Sequence, residues 1–150
     1  MNGRKETDTF TSERAPEPVG AFPHAKRVGN LLFLSGIGPR VRGADAVPGV
    51  TLDGHGEVIA YDIEVQCHAV FKNIRTVLED AGSGWERIVD VTVFLTDLTR
   101  DFAVYNRLYR EYFSSNQPTR TTVEVGRLPT PIAIEIKVIA MVGDPSPESP

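Results

Sequence analysis

Apolar and polar positions change period several times along the chain, and each change marks an element. From Asp62 to Ala81 the apolar residues Ile63, Cys67, Val70, Ile74 and Val77 recur at three- and four-residue spacing, and Gly82 follows where a left-handed C-terminal cap is wanted. This pattern predicts a helix with one buried face. Val89, Val91, Val93 and Leu95 then alternate with Asp90, Thr92, Phe94 and Thr96, the period of a strand. Phe102, Tyr105, Tyr109 and Tyr112 with Phe113 return to helical spacing from about Arg100 to Ser114, and such an aromatic stripe reads as core packing. Thr121–Val125 and Ile132–Val142 read as two further strands joined by the turn GRLPTP. In the last of them Ile132, Ile134, Ile136, Val138 and Ala140 share one face, which puts Glu135 and Lys137 together on the other.

Upstream, AKRVGNLLFLSG places Gly29-Asn30 between two short apolar stretches, a pair suited to the positive φ values of a tight hairpin turn. Residues 37–57, rich in Gly and Pro, follow as a long loop of the kind that carries function or moves. The expected order is β-β-α-β-α-β-β, an α+β domain with a single sheet and both helices on one face. Residues 1–18 read as a flexible leader, 19–142 as the folded domain and 143–150, with three prolines in eight residues, as a frayed tail.

Composition narrows the function classes. A chain of 150 residues with 41% hydrophobic and 24% charged residues has the length and balance of one packed domain. Its net charge of −4 argues against a broad nucleic-acid footprint, which needs clustered Lys and Arg. The single cysteine, Cys67, rules out an internal disulfide, fits a reducing cytoplasm, and sits on the apolar side of a helix, as an inert core thiol would. No apolar run approaches the ~18 residues that span a bilayer, and no secretion signal is seen. His24, His55 and His68 are scattered without metal-ligand spacing. No glycine-rich phosphate loop or nucleophile elbow is present either.

The informative stretch is PTRTTVEVGRLP, followed shortly by IEI. Arg120 heads a strand directly after a loop, where a planar five-donor guanidinium grips a carboxylate through two parallel hydrogen bonds or else forms a surface ion pair. Glu135 lies between two apolar neighbours, where a carboxylate is costly unless paired; it either partners Lys137 or serves chemistry. Pro118-Thr119-Arg120 with Ile134-Glu135-Ile136, GAFPHAKRVGNLLFLSG near the start and DLTRDFAVYNRLYREYF in the second helix together resemble the Rid (YjgF-like) family of imine and enamine deaminases.

That resemblance implies a mixed sheet of the chorismate-mutase-like type, homotrimers with sites between subunits, and hydrolysis without a cofactor. It makes Arg120 the carboxylate anchor and Glu135 the group that orients and deprotonates the attacking water. Around them it implies a pocket with Phe22, Gly36, Ile37 and Thr122, and Asn106 is either a further pocket group or a helix-surface amide. Three departures from the common family pattern stand out: Phe22-Pro23-His24 replaces a tyrosine stretch, Thr122 a frequent cysteine, and Ile37 a frequent glutamine. Phe22, His24 and the basic residues close by resemble the 2-aminomuconate deaminase branch, which acts in aromatic-compound degradation. His24 is then a candidate proton donor to the leaving amine. Lys26, Arg27 and Arg40 are either solvated surface charge or, with Arg40 and Lys26 preferred, the cations for a second carboxylate. The competing readings are a housekeeping deaminase of 2-iminopropanoate and 2-aminoacrylate, and a non-catalytic binder of small carboxylates or chaperone-like protein. The acidic charge disfavours a ribonuclease.

Overall fold

The alternation along Ile134–Met141 organises the molecule: Ile134, Ile136, Val138 and Ala140 are buried, while Glu135, Lys137, Ile139 and Met141 face the other way and stay partly open. This strand, β8, is central to a six-stranded sheet in a computed structural model that describes residues 7–143. The other strands are β1 (Thr7–Phe10), β2 (Ala25–Val28), β3 (Leu31–Leu34), β6 (Ile88–Leu95) and β7 (Thr119–Glu124), in the order β1-β2-β3-β8-β6-β7. β6 and β7 run parallel, joined by helix α2 (Leu98–Tyr112), while the remaining pairs are antiparallel, so the sheet is mixed.

Helix α1 (Ile63–Asp80) starts where Asp62 accepts from the amides of Glu64 and Val65, and it buries Cys67, Val70, Phe71, Ile74 and Val77. α1 and α2 pack on the same face of the sheet, as expected for an α+β domain. Cys67 is fully buried, and burial pushes its thiol up to about 12, so it is chemically quiet. Most of the aromatic stripe packs the core: Tyr105 and Phe113 are buried and Tyr109 stacks on Phe113 at 4.3 Å between ring centroids, whereas Phe102 is exposed. The hairpin turn falls at Gly29-Asn30, with Gly29 at φ 59.

Two regions differ from the sequence reading. Residues 7–18, expected in a flexible leader, contribute the edge strand β1, with Thr7 to Phe10 paired to Val28 to Ala25. Beyond that strand, Ser12 and Ala15 are buried. Polar contacts hold this segment: Arg14 Nε donates to Asp80 at 2.9 Å, and Arg42 donates to the Ala15 carbonyl at 2.8 Å. Residues 1–6, and the tail beyond Gly143, lie outside the described residues. The second difference is a small separate hairpin, β4 (Val50–Leu52) with β5 (Val58–Tyr61), inside and just after the expected long loop. Its turn is built by Asp53, whose side chain accepts from the amides of His55 and Glu57. Both strands are largely exposed, so burial imposes no alternation on their side chains.

Candidate functional site

One end of β8 forms the wall of a cleft of about 380 Å³. Glu135 and Lys137 project into it from the sheet face that carries no helix. The segment after β3 crosses beside them and is tied to β8 by reciprocal backbone hydrogen bonds between Ile37 and Ile136, 2.8 and 2.9 Å. These bonds press Gly36 onto the glutamate: a Cβ at that position would lie 2.8 Å from Glu135 Oε2. Any larger residue there would push the carboxylate from this position. Asn73 of α1 fixes the next stretch by donating to the carbonyls of Gly38 and Arg40 at 2.9 and 2.7 Å. Residues 15–24 close one side, including Phe22, and the turn around Pro129 and Thr130 closes the other.

Glu135 is half-buried and makes no hydrogen bond or ion pair among the described residues. Burial raises its carboxyl above the ordinary range, because a charge that loses water without gaining a partner is disfavoured. Lys137 is not its partner: the ammonium donates instead to the Leu34 carbonyl at 3.0 Å. The carboxylate is therefore a stronger base than a solvated glutamate, held beside a cavity large enough for a small ligand and its water.

His24 lines the same cleft but is committed. Its Nδ1 accepts from the Ser12 amide at 2.9 Å, and its Nε2 faces the Pro16 carbonyl at 2.6 Å. Only the neutral ring protonated at Nε2 satisfies both contacts, so the proton the sequence reading offered to a leaving amine is engaged with backbone. The ring instead ties down the segment that forms the cleft wall. Arg40 lines the cleft and donates to the Glu17 carbonyl at 2.7 Å. Lys26, exposed on β2, is not among the lining residues, and Arg27 donates to the Gly29 carbonyl. Gly36 and Ile37 line the cleft as expected.

Arg120 lies elsewhere. On the edge strand β7 it is paired with Val91, whose side chain is buried on the helix side of the sheet, whereas Glu135 is paired with Phe94 on the opposite side. Its guanidinium lies 4.6 Å over the Tyr109 ring and 5.5 Å from that of Tyr105, and it donates to Asn106 Oδ1 at 2.9 Å. The aromatic platform and the asparagine orient an exposed arginine with donors to spare. Thr122 belongs to this second cluster, its Oγ1 2.9 Å from the Tyr105 hydroxyl. The expected site residues thus fall into two groups on opposite faces of one sheet. Lys137 and the wall residues Ala15, Pro16, Pro18 and Val19 were missed as lining groups. The spacing Glu135-x-Lys137 placed both on one face, but nothing in the sequence says that this face is concave.

Among the described residues no group of three or more His, Cys, Asp or Glu is placed to hold a metal ion, and no helix is long and apolar enough to cross a membrane.

A family model described as endoribonuclease L-PSP matches residues 12–142, so it includes the last part of the segment read as a leader. A RutC family protein of Pyrococcus abyssi is 39% identical over 136 residues, covering 89% of this chain and 95% of its own length. Reactive Intermediate Deaminase A, chloroplastic, of Arabidopsis thaliana is 32% identical over 133 residues, covering 89% of this chain and 65% of its own. E. coli TdcF with bound serine superposes with a TM-score of 0.77 at 29% identity, covering 91% of this chain and 99% of that one. The chain belongs to the endoribonuclease L-PSP family, the Rid or YjgF-like family that its motifs resemble.

Proposed function

We propose that the protein is a cytoplasmic, cofactor-independent deaminase that hydrolyses the imine tautomer of a 2-enamino carboxylate. The observation that carries this is the unpartnered, half-buried Glu135 against Gly36 in the cleft. It is supported by a relative named as a reactive intermediate deaminase, and by a similar structure holding serine, a small molecule with a carboxylate and an amine. The family description names an endoribonuclease, but a net charge of −4 does not favour a broad phosphate-binding surface.

In this reading Arg120 grips the substrate carboxylate and Glu135 takes a proton from water as its oxygen attacks the imine carbon. Glu135 passes that proton to the imine nitrogen to give a carbinolamine, then relays the hydroxyl proton to the amine, so that the C–N bond breaks and ammonia leaves as the carbonyl forms. Water is the sole co-reactant. Arg120 and Glu135 lie on opposite faces of the sheet, so one ligand meets both only when the Arg120 cluster of one chain covers the Glu135 cleft of another. We therefore assign the site to the interface of a homotrimer. Within the family we favour 2-aminomuconate as substrate.

The test is ammonia release from 2-aminomuconate and from 2-iminopropanoate generated in situ, with wild type, Arg120→Ala, Glu135→Gln and the two variants refolded together. If sites are shared between chains, random assortment restores roughly a quarter of the sites in the mixture. No recovery above the separate variants would place both groups in one chain, and no release by wild type would end the deaminase reading.

A further inference from the structure

Lys137 stands in the cleft without a function in the reading above. It follows Glu135 by two residues on the same face of β8, which sets their Cα atoms about 7 Å apart. Its ammonium has three donors. One is spent on the Leu34 carbonyl, and no acidic group pairs with Lys137 among the described residues. Among the described residues, Arg40 is the other Lys or Arg lining the cleft, and Glu135 is the one acidic residue lining it. A ligand whose reacting carbon lies beside Glu135 therefore extends toward positive charge. A carboxylate about 6 Å farther along an extended carbon chain falls within reach of the Lys137 ammonium.

We infer that Lys137 is the specificity-determining cation of this cleft, binding a second carboxylate and selecting imino and enamino dicarboxylates over short imino monocarboxylates. The inference rests on the deaminase reading for its catalytic form, but the charge complementarity holds for binding alone. A lysine suits the position, because a point charge on a flexible stem follows the far end of a chain while the reacting end is held. The ligand carboxylate supplies the counter-ion that the protein does not.

The experiment compares kcat/KM on the imine of 2-oxoadipate with that on 2-iminopropanoate, each formed in situ by an amino-acid oxidase, for wild type, Lys137→Met and Lys137→Arg. Methionine keeps the apolar stem and removes the charge. The dicarboxylate-to-monocarboxylate ratio is expected to fall about 10-fold or more in Lys137→Met, the loss of one charge-assisted contact, and to return to within about threefold of wild type in Lys137→Arg. An unchanged ratio in Lys137→Met overturns the inference. Calorimetric titration with 2-oxoadipate and pyruvate separates this from failure of the deaminase reading. Should wild type hydrolyse neither imine, selective loss of 2-oxoadipate affinity in Lys137→Met still supports the cation assignment, and equal affinities in the two proteins overturn it. Size-exclusion behaviour and melting temperature establish that each variant is folded.

Discussion

Glu135 and Arg120 belong to one sheet, and their surroundings are opposites. The glutamate is pressed against the backbone of Gly36 without a donor, so its charge is left poorly compensated. The arginine is exposed but oriented, stacked over Tyr109 and bonded to Asn106. Lack of partners makes a carboxylate basic, whereas added partners turn a mobile cation into a directional clamp. The first suits proton abstraction and the second suits recognition. Their separation across the sheet makes contact between chains a condition for combining the two.

The sharpest way to break this contrast is to neutralise the base. Glu135→Gln keeps the size but takes no proton, so kcat is expected to fall roughly 100-fold with little change in product affinity. Because burial raises the Glu135 carboxyl, wild-type activity should be lost as pH falls through a value above the ~4.3 of an ordinary glutamate. Above that value the carboxylate is ionised and active. A pH profile that keeps its acid limb in the glutamine variant would take Glu135 out of the mechanism.

Arg120→Ala is expected to weaken binding of a carboxylate product about 30-fold while leaving the fold intact, since the exposed side chain packs only on its platform. Lysine should recover part of this, because it restores charge without the fork. Unchanged affinity by calorimetry would leave the tyrosine platform without a ligand role.

Gly36→Ala tests whether the close approach matters. A methyl group 2.8 Å from the Glu135 carboxylate forces one of them aside, and kcat should drop about 10-fold, since small misplacements of a catalytic group are costly. Full activity would mean that the carboxylate position is not demanding.

The smallest effect is expected on the arginine side. Thr122→Val takes from the Tyr105 hydroxyl its partner at 2.9 Å and should lower stability by about 1 kcal/mol, a shift of a few degrees in melting temperature. An unaltered melting curve would show that water replaces the threonine at no cost.

The sequence by itself determined the elements whose side chains are sorted by burial. Both helices, the hairpin at Gly29-Asn30 and the strands at Ile88–Leu95 and Ile134–Met141 emerged from period and capping because a one-sided core writes its repeat into the chain. The motif around Arg120 and Glu135 named both residues and the family. The exposed strands β1, β4 and β5 left no such repeat, since edge pairing is made by backbone groups that any sequence carries. Tertiary structure alone decided that His24 is held by the Ser12 amide and Pro16 carbonyl, that Lys137 turns to Leu34 and away from Glu135, and that Arg120 and Glu135 occupy opposite faces. Each of these depends on which strand lies beside which, and strand order is set by the packing of distant segments. Local residue pattern does not encode it.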